Sequence, residues 1–228
     1  MKNFFIFFIN AGENTVFGAI LYTGFYILSS KLLFFLHFSG VFGMTCKLSD
    51  NKTNLASGHF LVLDVLEYQT SDGATHKWEA VSRKNTSGAV MLIPELIPSG
   101  RVVVIRQFRP PAAAYVWEFP AGLVEKGEDP VVTAVRELYE ETGYHGVVTK
   151  CSPPVYSSPG LTSETVQIVN MTIEEAGQEN PEPHFDGAEE IETFTVPQEQ
   201  LYSFLMDSVA KGDVVDSKLY TYALMKNQ

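Results

Sequence analysis

The sequence predicts an α/β protein in which a mixed sheet packs between helices, with a small antiparallel β unit at its N-terminal side. Three observations predict this fold class. Strand-like segments precede a well-capped helical segment at residues 130–142, further strand-like segments follow it, and the chain ends in two helical segments. The 228 residues, 45% of them apolar, are enough for one substantial core.

The first 43 residues differ in composition from the rest of the chain. Residues 15–44 contain a single charge, Lys31, and the run is long enough to cross a bilayer. Lys31 in its middle, with interrupting Gly, Ser and Thr, makes it a poor spanning helix. We interpret residues 1–43 as an extension outside the folded domain, with a membrane anchor or a cleaved targeting signal as alternatives. The remaining chain is expected to form an N-terminal β unit, residues 44–86, and a main domain, residues 87–228.

Two hairpins are predicted before the central helix. Residues 58–69 and 76–83 alternate apolar and polar side chains, and a polar linker at 49–57 precedes them. Residues 88–97 and 101–109 are rich in Val and Ile, which indicates core strands. The segment YVWEFPAG leads on to the helix as a further strand.

The central helix has recognisable ends. Asp129 is a good N-cap, Pro130 suits the first helical position, and Gly143 suits the residue just past the end. A buried stripe is expected from the spacing of the apolar residues and one threonine. It consists of Val131, Ala134, Val135, Leu138 and Thr142.

Strands at 163–173 and 190–197 are expected after the central helix, separated by a polar, acidic surface loop at 177–189. Amphipathic segments at 198–211 and 216–225 predict the two terminal helices.

The charge and the cysteines limit the function classes. A formal net charge of -11 argues against a general nucleic-acid binder, and an anionic substrate would need local cations or a metal. Cys46 and Cys151 match no zinc or redox spacing, so a reducing compartment is the simpler interpretation.

Three carboxylates crowd one helical turn of the central helix. Glu137 and Glu141 are four residues apart with Glu140 beside them, and they repel each other unless a cation lies among them. A hard divalent ion such as Mg²⁺ takes oxygen ligands and shares its shell with phosphates. The alternative is a solvated Glu-rich face.

Residues 122–144 fit the pattern G-x5-E-x7-R-E-U-x-E-E-x-G-U, in which U is a bulky aliphatic residue. Only Tyr144 departs from it, which is expected to affect packing and not chemistry. This segment resembles the Nudix box, so the chain resembles the Nudix hydrolase family, which implies an α/β/α sandwich, diphosphate cleavage and Mg²⁺, with Mn²⁺ as a substitute. Positions in register are Gly122, Glu128, Arg136, Glu137, Leu138, Glu140, Glu141 and Gly143.

From about Gly58 onward the chain resembles the ADP-ribose and ADP-sugar pyrophosphatase branch of that family. The segments that carry the likeness are HKWEAVSR, RQFRPP joined to EFPAG, SPG after Tyr156, and the acidic stretch 187–192. The resemblance implies a homodimer in the cytoplasm, with a nuclear location as an alternative, that acts on ADP-ribose and yields AMP and ribose 5-phosphate. Membrane contact is expected only through residues 1–43.

The resemblance also implies roles for individual residues. Phe60 and Trp78 would stack on the adenine, often across a subunit interface, with core packing as the alternative for each. Arg83 and Arg109 would hold phosphate or ribose, with surface ion pairs as the alternative. The implied substrate contacts are Phe60, Trp78, Glu79, Arg83, Arg109 and Leu123.

The implied catalytic residues come from the central helix and from the acidic surface loop at 177–189. Glu137, Glu140, Glu141, the carbonyl of Ala121 and Glu189 would hold the metal, while Arg136 orients the glutamates. Glu189 is expected to be the general base, and its acidic neighbours Asp186, Glu190 and Glu192 leave that choice open by a residue or so. Glu128 is expected to be structural or to support the metal shell.

Three other interpretations stay open at this point. Another Nudix specificity, for a different nucleoside diphosphate sugar or an oxidised nucleoside diphosphate, would share the box and lack the Phe60 and Trp78 clamp. A non-catalytic nucleotide-sensing module would usually lack box glutamates, whereas here all are present. A membrane-tethered protein is a third reading, which Lys31 argues against.

Overall fold

The computed structural model describes residues 5–11, 14–20, 46–185 and 190–227. The chain divides into two compact units, one comprising residues 1–50 and 67–76, the other residues 51–66 and 77–228. The predicted division at residues 44–86 and 87–228 stays a prediction.

The hydrophobic N-terminal run contains two strands that its composition did not predict. β1 (Phe5–Ala11) and β2 (Asn14–Ile20) pair antiparallel, from Phe5 opposite Ile20 to Ala11 opposite Asn14. Residues 21–45, which hold most of the candidate spanning segment, lie outside the described residues. In the part of the chain that is described, no helix is both long and apolar enough to cross a membrane.

A three-stranded sheet follows, in the order β3 (Lys47–Ser57), β4 (Leu61–Gln69) and β5 (Thr75–Arg83). The predicted linker at 49–57 is therefore wrong, because this polar segment is a strand. Two of its polar side chains donate hydrogen bonds to the buried Asp64 of β4, Asn54 at 2.9 Å and Lys52 at 3.2 Å. These bonds, Asn54 first, lower the pKa of Asp64.

Nine of the described strands form one mixed sheet. Its central path runs β10-β12-β6-β7-β8-β14, and β9, β11 and β13 pair with β6, β12 and β7. β6 and β12 are parallel, as are β8 and β14, whereas the other pairs are antiparallel. The strands are β6 (Thr86–Ile97), β7 (Arg101–Arg109), β8 (Ala114–Glu118), β9 (Ala121–Glu125), β10 (Val147–Cys151), β11 (Val155–Tyr156), β12 (Thr165–Glu174), β13 (Ile191–Pro197) and β14 (Val214–Val215).

The hairpin of β6 and β7 separates soon after its turn. The register pairs Glu95 with Val102, beyond which β6 pairs with β9 while β7 pairs with β8 and β13. The predicted strand YVWEFPAG is likewise divided at Phe119 and Pro120, so β8 lies on β7 and β9 lies on β6. A space opens between these two halves, and the site described below occupies it.

Helices cover both faces of the sheet, which confirms the predicted mixed α/β fold. α1 (Pro130–Thr142) packs on one face through Ala134 and Leu138. α2 (Leu201–Val209) and α3 (Ser217–Lys226) pack on the other, where Leu205 and Leu219 are fully buried. Neighbouring residues of β6 alternate between the two cores as a strand requires. The predicted helix 198–211 is shorter, because residues 198–200 form a 3₁₀ turn.

The predicted ends of α1 are confirmed. The Asp129 carboxylate accepts the Val131 N–H at 2.8 Å, and Gly143 ends the helix with φ of 75°. The predicted stripe is partly wrong, since Val131 and Val135 are exposed. Thr133 and Glu141 are buried in their place because α1 turns its carboxylate-bearing side toward β9.

Candidate active site

A cavity of about 480 Å³ lies where β6 and β9 separate from β7 and β8, and α1 closes one side of it. The wall includes Ala89, Val90 and Met91 of β6, together with Gln107 of β7 and Phe119 after β8. It therefore joins the helix that carries the carboxylates to the segments that carry the arginine motifs.

Eight of the residues predicted from the sequence line this cavity. They are Arg83, Arg109, Ala121, Leu123, Arg136, Glu137, Glu140 and Glu141. Phe60, Trp78 and Glu79 are not part of its wall, and Glu189 lies outside the described residues. The carboxylates and the arginines predicted for the site thus lie in one cavity, whereas Phe60 and Trp78 lie apart from it.

Arg136 organises the carboxylates of α1. Its Nη1 donates to Glu137 Oε1 and to Glu140 Oε2, both at 2.8 Å, and its other nitrogens donate to Glu128 at 3.3 and 3.4 Å. Burial opposes the guanidinium charge, but the hydrogen bonds to these carboxylates raise the pKa of Arg136. The Arg136 hydrogen bond in turn lowers the pKa of Glu128. The bond network offsets the repulsion among the glutamates.

Glu141 and Glu137 are fitted closely against β9. Glu141 is only 6% exposed, and its Oε2 accepts the backbone N–H of Ala121 at 3.0 Å. A Cβ on Gly122 would lie 2.0 Å from Glu137 Oε1, so only glycine leaves room for that carboxylate. Gly122 belongs to β9, whose backbone therefore runs directly beside the Glu137 side chain.

The donor set has the chemistry that a hard divalent cation prefers, although its side chains are not gathered into a ready metal cluster. Glu137, Glu140 and Glu141 offer carboxylate oxygens to one cavity, and oxygen ligands are what Mg²⁺ prefers. Within the described ranges, no three His, Cys, Asp or Glu side chains form a ready metal cluster. Arg136 lies between Glu137 and Glu140, bonded to both.

Two arginines of the cavity wall are held by acidic partners that the sequence did not reveal. Arg109 donates to both carboxylate oxygens of Glu118, at 2.8 and 2.7 Å, and Arg83 forms an ion pair with Glu164. About two fifths of each arginine side chain stays exposed, so each keeps contact with the open cavity. Glu118 belongs to the motif EFPAG, which could have pointed to it, whereas no sequence signal marked Glu164.

Gln107 is a further residue that sequence reasoning missed. Its side-chain oxygen is buried in the cavity wall, and no described residue donates a hydrogen bond to it. A buried amide oxygen without a donor is costly, so a bound molecule with a hydroxyl group would stabilise this position. Its place inside RQFRPP was the available signal.

The two predicted stacking residues are exposed. Phe60 is 71% and Trp78 is 51% accessible, which excludes core packing for both. Trp78 Nε1 donates to the carbonyl of Gly160 at 3.0 Å, and this bond orients the indole on the motif SPG. Glu79, next to it on β5, is also exposed.

Glu192, one of the acids that left the choice of base open, has a structural partner. It forms an ion pair with Arg106 at 2.6 Å, and Arg106 also donates twice to Asp213, at 2.8 and 2.9 Å. The hydrogen bond from Arg106 lowers the pKa of Asp213.

Known proteins resemble this chain over most of its length. A family model described as the NUDIX domain matches residues 86–217. The ADP-sugar pyrophosphatase of Mus musculus is 38% identical over 180 residues, covering 75% of this chain and 83% of that protein. The ADP-ribose pyrophosphatase of Saccharomyces cerevisiae is 34% identical over 167 residues, covering 69% and 71%. A solved structure described as an ADP compounds hydrolase matches with a TM-score of 0.55 at 20% identity, covering 79% of this chain and 91% of that one, and supports the fold alone.

Proposed function

This chain belongs to the Nudix hydrolase family, and from that premise we propose that it hydrolyses the diphosphate bond of ADP-ribose and related ADP-sugars. The products are AMP and a sugar phosphate, which is ribose 5-phosphate for ADP-ribose. The observation that carries the proposal is the cavity that joins the carboxylates of α1 to Arg83 and Arg109. The ADP-sugar and ADP-ribose pyrophosphatases among its relatives support the choice of substrate.

The metal site in this proposal consists of Glu137, Glu140 and Glu141, with the Ala121 carbonyl and Glu189. A divalent cation there, Mg²⁺ or Mn²⁺ as its substitute, supplies neutralisation of the diphosphate charge and a lower pKa for an attacking water. Arg136 keeps the glutamates oriented through its hydrogen bonds to Glu137 and Glu140.

Substrate recognition is proposed to use three kinds of contact. Arg83 and Arg109 donate to the diphosphate or the terminal ribose, for which their planar forks are suited. Gln107, whose buried side-chain oxygen has no donor among the described residues, accepts a hydrogen bond from a sugar hydroxyl. Leu123, which is 39% exposed in the cavity wall, packs against the bound sugar or base.

Glu189 is proposed as the general base that takes the proton from the attacking water. The support comes from the residues that flank the acidic stretch 187–192. His184 donates its backbone N–H to the carbonyl of Glu140 at 2.8 Å, and the Thr193 hydroxyl donates to the carbonyl of Glu141 at 3.2 Å. Described residues on either side of the stretch, His184 before it and Thr193 after it, thus contact the turn that carries the carboxylates.

The adenine clamp and the homodimer are proposed together. Phe60 and Trp78 are exposed and do not line the cavity of their own chain, so the clamp is expected to act across two subunits. Glu79 beside Trp78 would accept from the adenine amino group. Sedimentation of the purified protein at twice the monomer mass is the expected result, and a monomer at micromolar concentration would contradict it.

The location is proposed to be the cytoplasm. Cys46 and Cys151, both within the described ranges, are free thiols. Free thiols are typical of proteins in reducing compartments.

A substrate panel tests the function directly. With Mg²⁺ present, we expect cleavage of ADP-ribose and ADP-mannose to AMP, at a kcat/KM at least about tenfold above that for GDP-mannose or an oxidised nucleoside diphosphate. Chromatography of the products measures it, and removal of the metal with EDTA should abolish it. Absence of Mg²⁺-dependent ADP-ribose cleavage by the wild type would rule out the proposal, and a preference for a non-adenine substrate would favour another Nudix specificity.

Replacing Trp78 with alanine is expected to raise the KM for ADP-ribose about tenfold with little change in kcat. Stacking of a base on an aromatic ring contributes roughly 1–3 kcal/mol of binding, and the base is remote from the bond that breaks. Steady-state kinetics measure the two constants separately. Trp78→Phe is the matched control because it keeps a flat ring, and an unchanged KM in Trp78→Ala would remove Trp78 from the clamp.

A further inference from the structure

The last turn of α1 is tied to the segment that follows β12. The final carbonyls of a helix lack donors within the helix, and here other segments supply them. The Glu140 carbonyl accepts from the His184 N–H, and the Glu141 carbonyl accepts from Thr193. The positions of two proposed metal-binding residues therefore depend on chain outside the helix.

Tyr139 contacts two histidine rings at the same turn. Its ring stacks on His145 with centroids 4.6 Å apart and an interplanar angle of 16°. The His184 ring also contacts Tyr139, with ring centroids 4.7 Å apart and an interplanar angle of 59°. His145 lies three residues after the end of α1. His184 belongs to the segment 175–185, which we name the late segment. The Tyr139 ring thus joins the helix end to the late segment.

The late segment fits closely against the end of the helix. A Cβ on Gly143 would meet the backbone of Glu182 at 2.5 Å, so the two backbones touch where only glycine allows it. The Gln178 side chain accepts the His145 N–H at 2.7 Å and donates to the His145 carbonyl at 3.0 Å. Tyr139, His184, Gly143, Glu182 and Gln178 all line one small surface cavity of about 280 Å³, separate from the active-site cavity.

We propose that Tyr139 is a positioning residue for diphosphate hydrolysis, acting by holding the late segment against the turn that carries Glu140 and Glu141. This inference rests on the proposed function. Tyr139 does not line the active-site cavity, so its effect passes through the Glu140 carbonyl and His184. His184 also stands five positions before the proposed base Glu189 in the sequence. Small displacements of catalytic groups are costly, since a misplacement of about 1 Å can lower turnover a hundredfold.

The test combines amide hydrogen exchange with steady-state kinetics in the full chain. In Tyr139→Ala, we expect exchange of the His184 amide to accelerate at least about tenfold, because both ring contacts are lost. We expect kcat for ADP-ribose to fall about tenfold with KM within about twofold, since binding of the substrate itself is unaffected. Tyr139→Phe, which keeps the ring, should restore both values to those of the wild type.

Two further variants separate positioning from general damage. Val132→Ala changes an exposed residue of the same helix and should leave exchange and kcat unchanged. His184→Ala removes one partner ring and keeps the backbone donor, so it should lower kcat by about threefold even if Tyr139→Ala fails to fold.

Each outcome decides between the claims. Unchanged exchange of the residue-184 amide in both Tyr139→Ala and His184→Ala shows that the Tyr139 ring does not hold the late segment, whatever the activity, and overturns the proposal. Faster exchange with wild-type kcat overturns the positioning role and leaves the proposed function intact. A wild type that does not cleave ADP-ribose overturns the proposed function and the positioning role with it. The exchange result would still show whether Tyr139 holds the late segment against the helix end.

Discussion

Replacing Glu141 with glutamine is expected to lower kcat for ADP-ribose about a thousandfold while the protein stays folded. Glutamine has the same size and can still accept the Ala121 N–H, a bond of 3.0 Å in the wild type, so the contact between α1 and β9 survives. The negative charge is lost, and with it one of the carboxylate ligands proposed for the divalent cation. Single-turnover kinetics and thermal melting measure the two effects separately.

The dependence of Glu141→Gln activity on Mg²⁺ concentration tests whether Glu141 is a metal ligand. We expect the Mg²⁺ concentration for half-maximal activity to rise about tenfold or more, because a carboxylate ligand becomes neutral. Glu125→Gln is the matched control, since Glu125 is an exposed glutamate of β9 that does not line the cavity. Turnover of Glu141→Gln within about threefold of the wild type would exclude Glu141 from the metal site.

Replacing Glu189 with glutamine is expected to reduce kcat by about a hundredfold to ten-thousandfold, the range that general-base catalysis contributes. KM should change little, because the base acts on the water and not on the substrate. The acidic limb of the kcat profile against pH should also flatten, since the group that must be deprotonated is gone. Stopped assays across a pH series at saturating Mg²⁺ measure both.

Neighbouring acids supply the comparison for Glu189. Glu190→Gln changes an exposed residue and should leave kcat near the wild-type value. Glu192→Gln removes an ion pair with Arg106. It should therefore lower the melting temperature and leave kcat near the wild-type value. A large loss of kcat in Glu190→Gln together with normal turnover in Glu189→Gln would move the base by one residue.

Signals confined to a few neighbouring residues predicted the structure well. The ends of α1 follow from Asp129, Pro130 and Gly143, each of which acts within one helical turn. Predictions that depended on partners far along the chain were less accurate. Residues 49–57 have a polar composition typical of a linker, yet they form most of β3, where Lys52 and Asn54 donate hydrogen bonds to Asp64 on β4. Val131 and Val135 proved exposed because β9 decides which side of α1 is buried.

The candidate site shows the same division between local and distant information. The box pattern on α1 identifies Arg136 and its glutamates, whose mutual hydrogen bonds span at most eight residues. Glu164, which pairs with Arg83 across 81 residues, could not be predicted from its neighbours in the sequence. Gln107 stood in a recognised motif, but its unpaired buried oxygen is a property of the packed cavity.

The family, the capped helix with its carboxylates, the arginines of the motifs and the mixed α/β fold could all be predicted from the order of the amino acids. Spacing along a helix or strand places such residues on one face without reference to the rest of the chain. The folded chain was needed to see that β6 and β7 separate to form the cavity and that Phe60 and Trp78 lie apart from it. It alone also joined Tyr139 to His184, since contacts between distant segments depend on how the whole sheet pairs and packs.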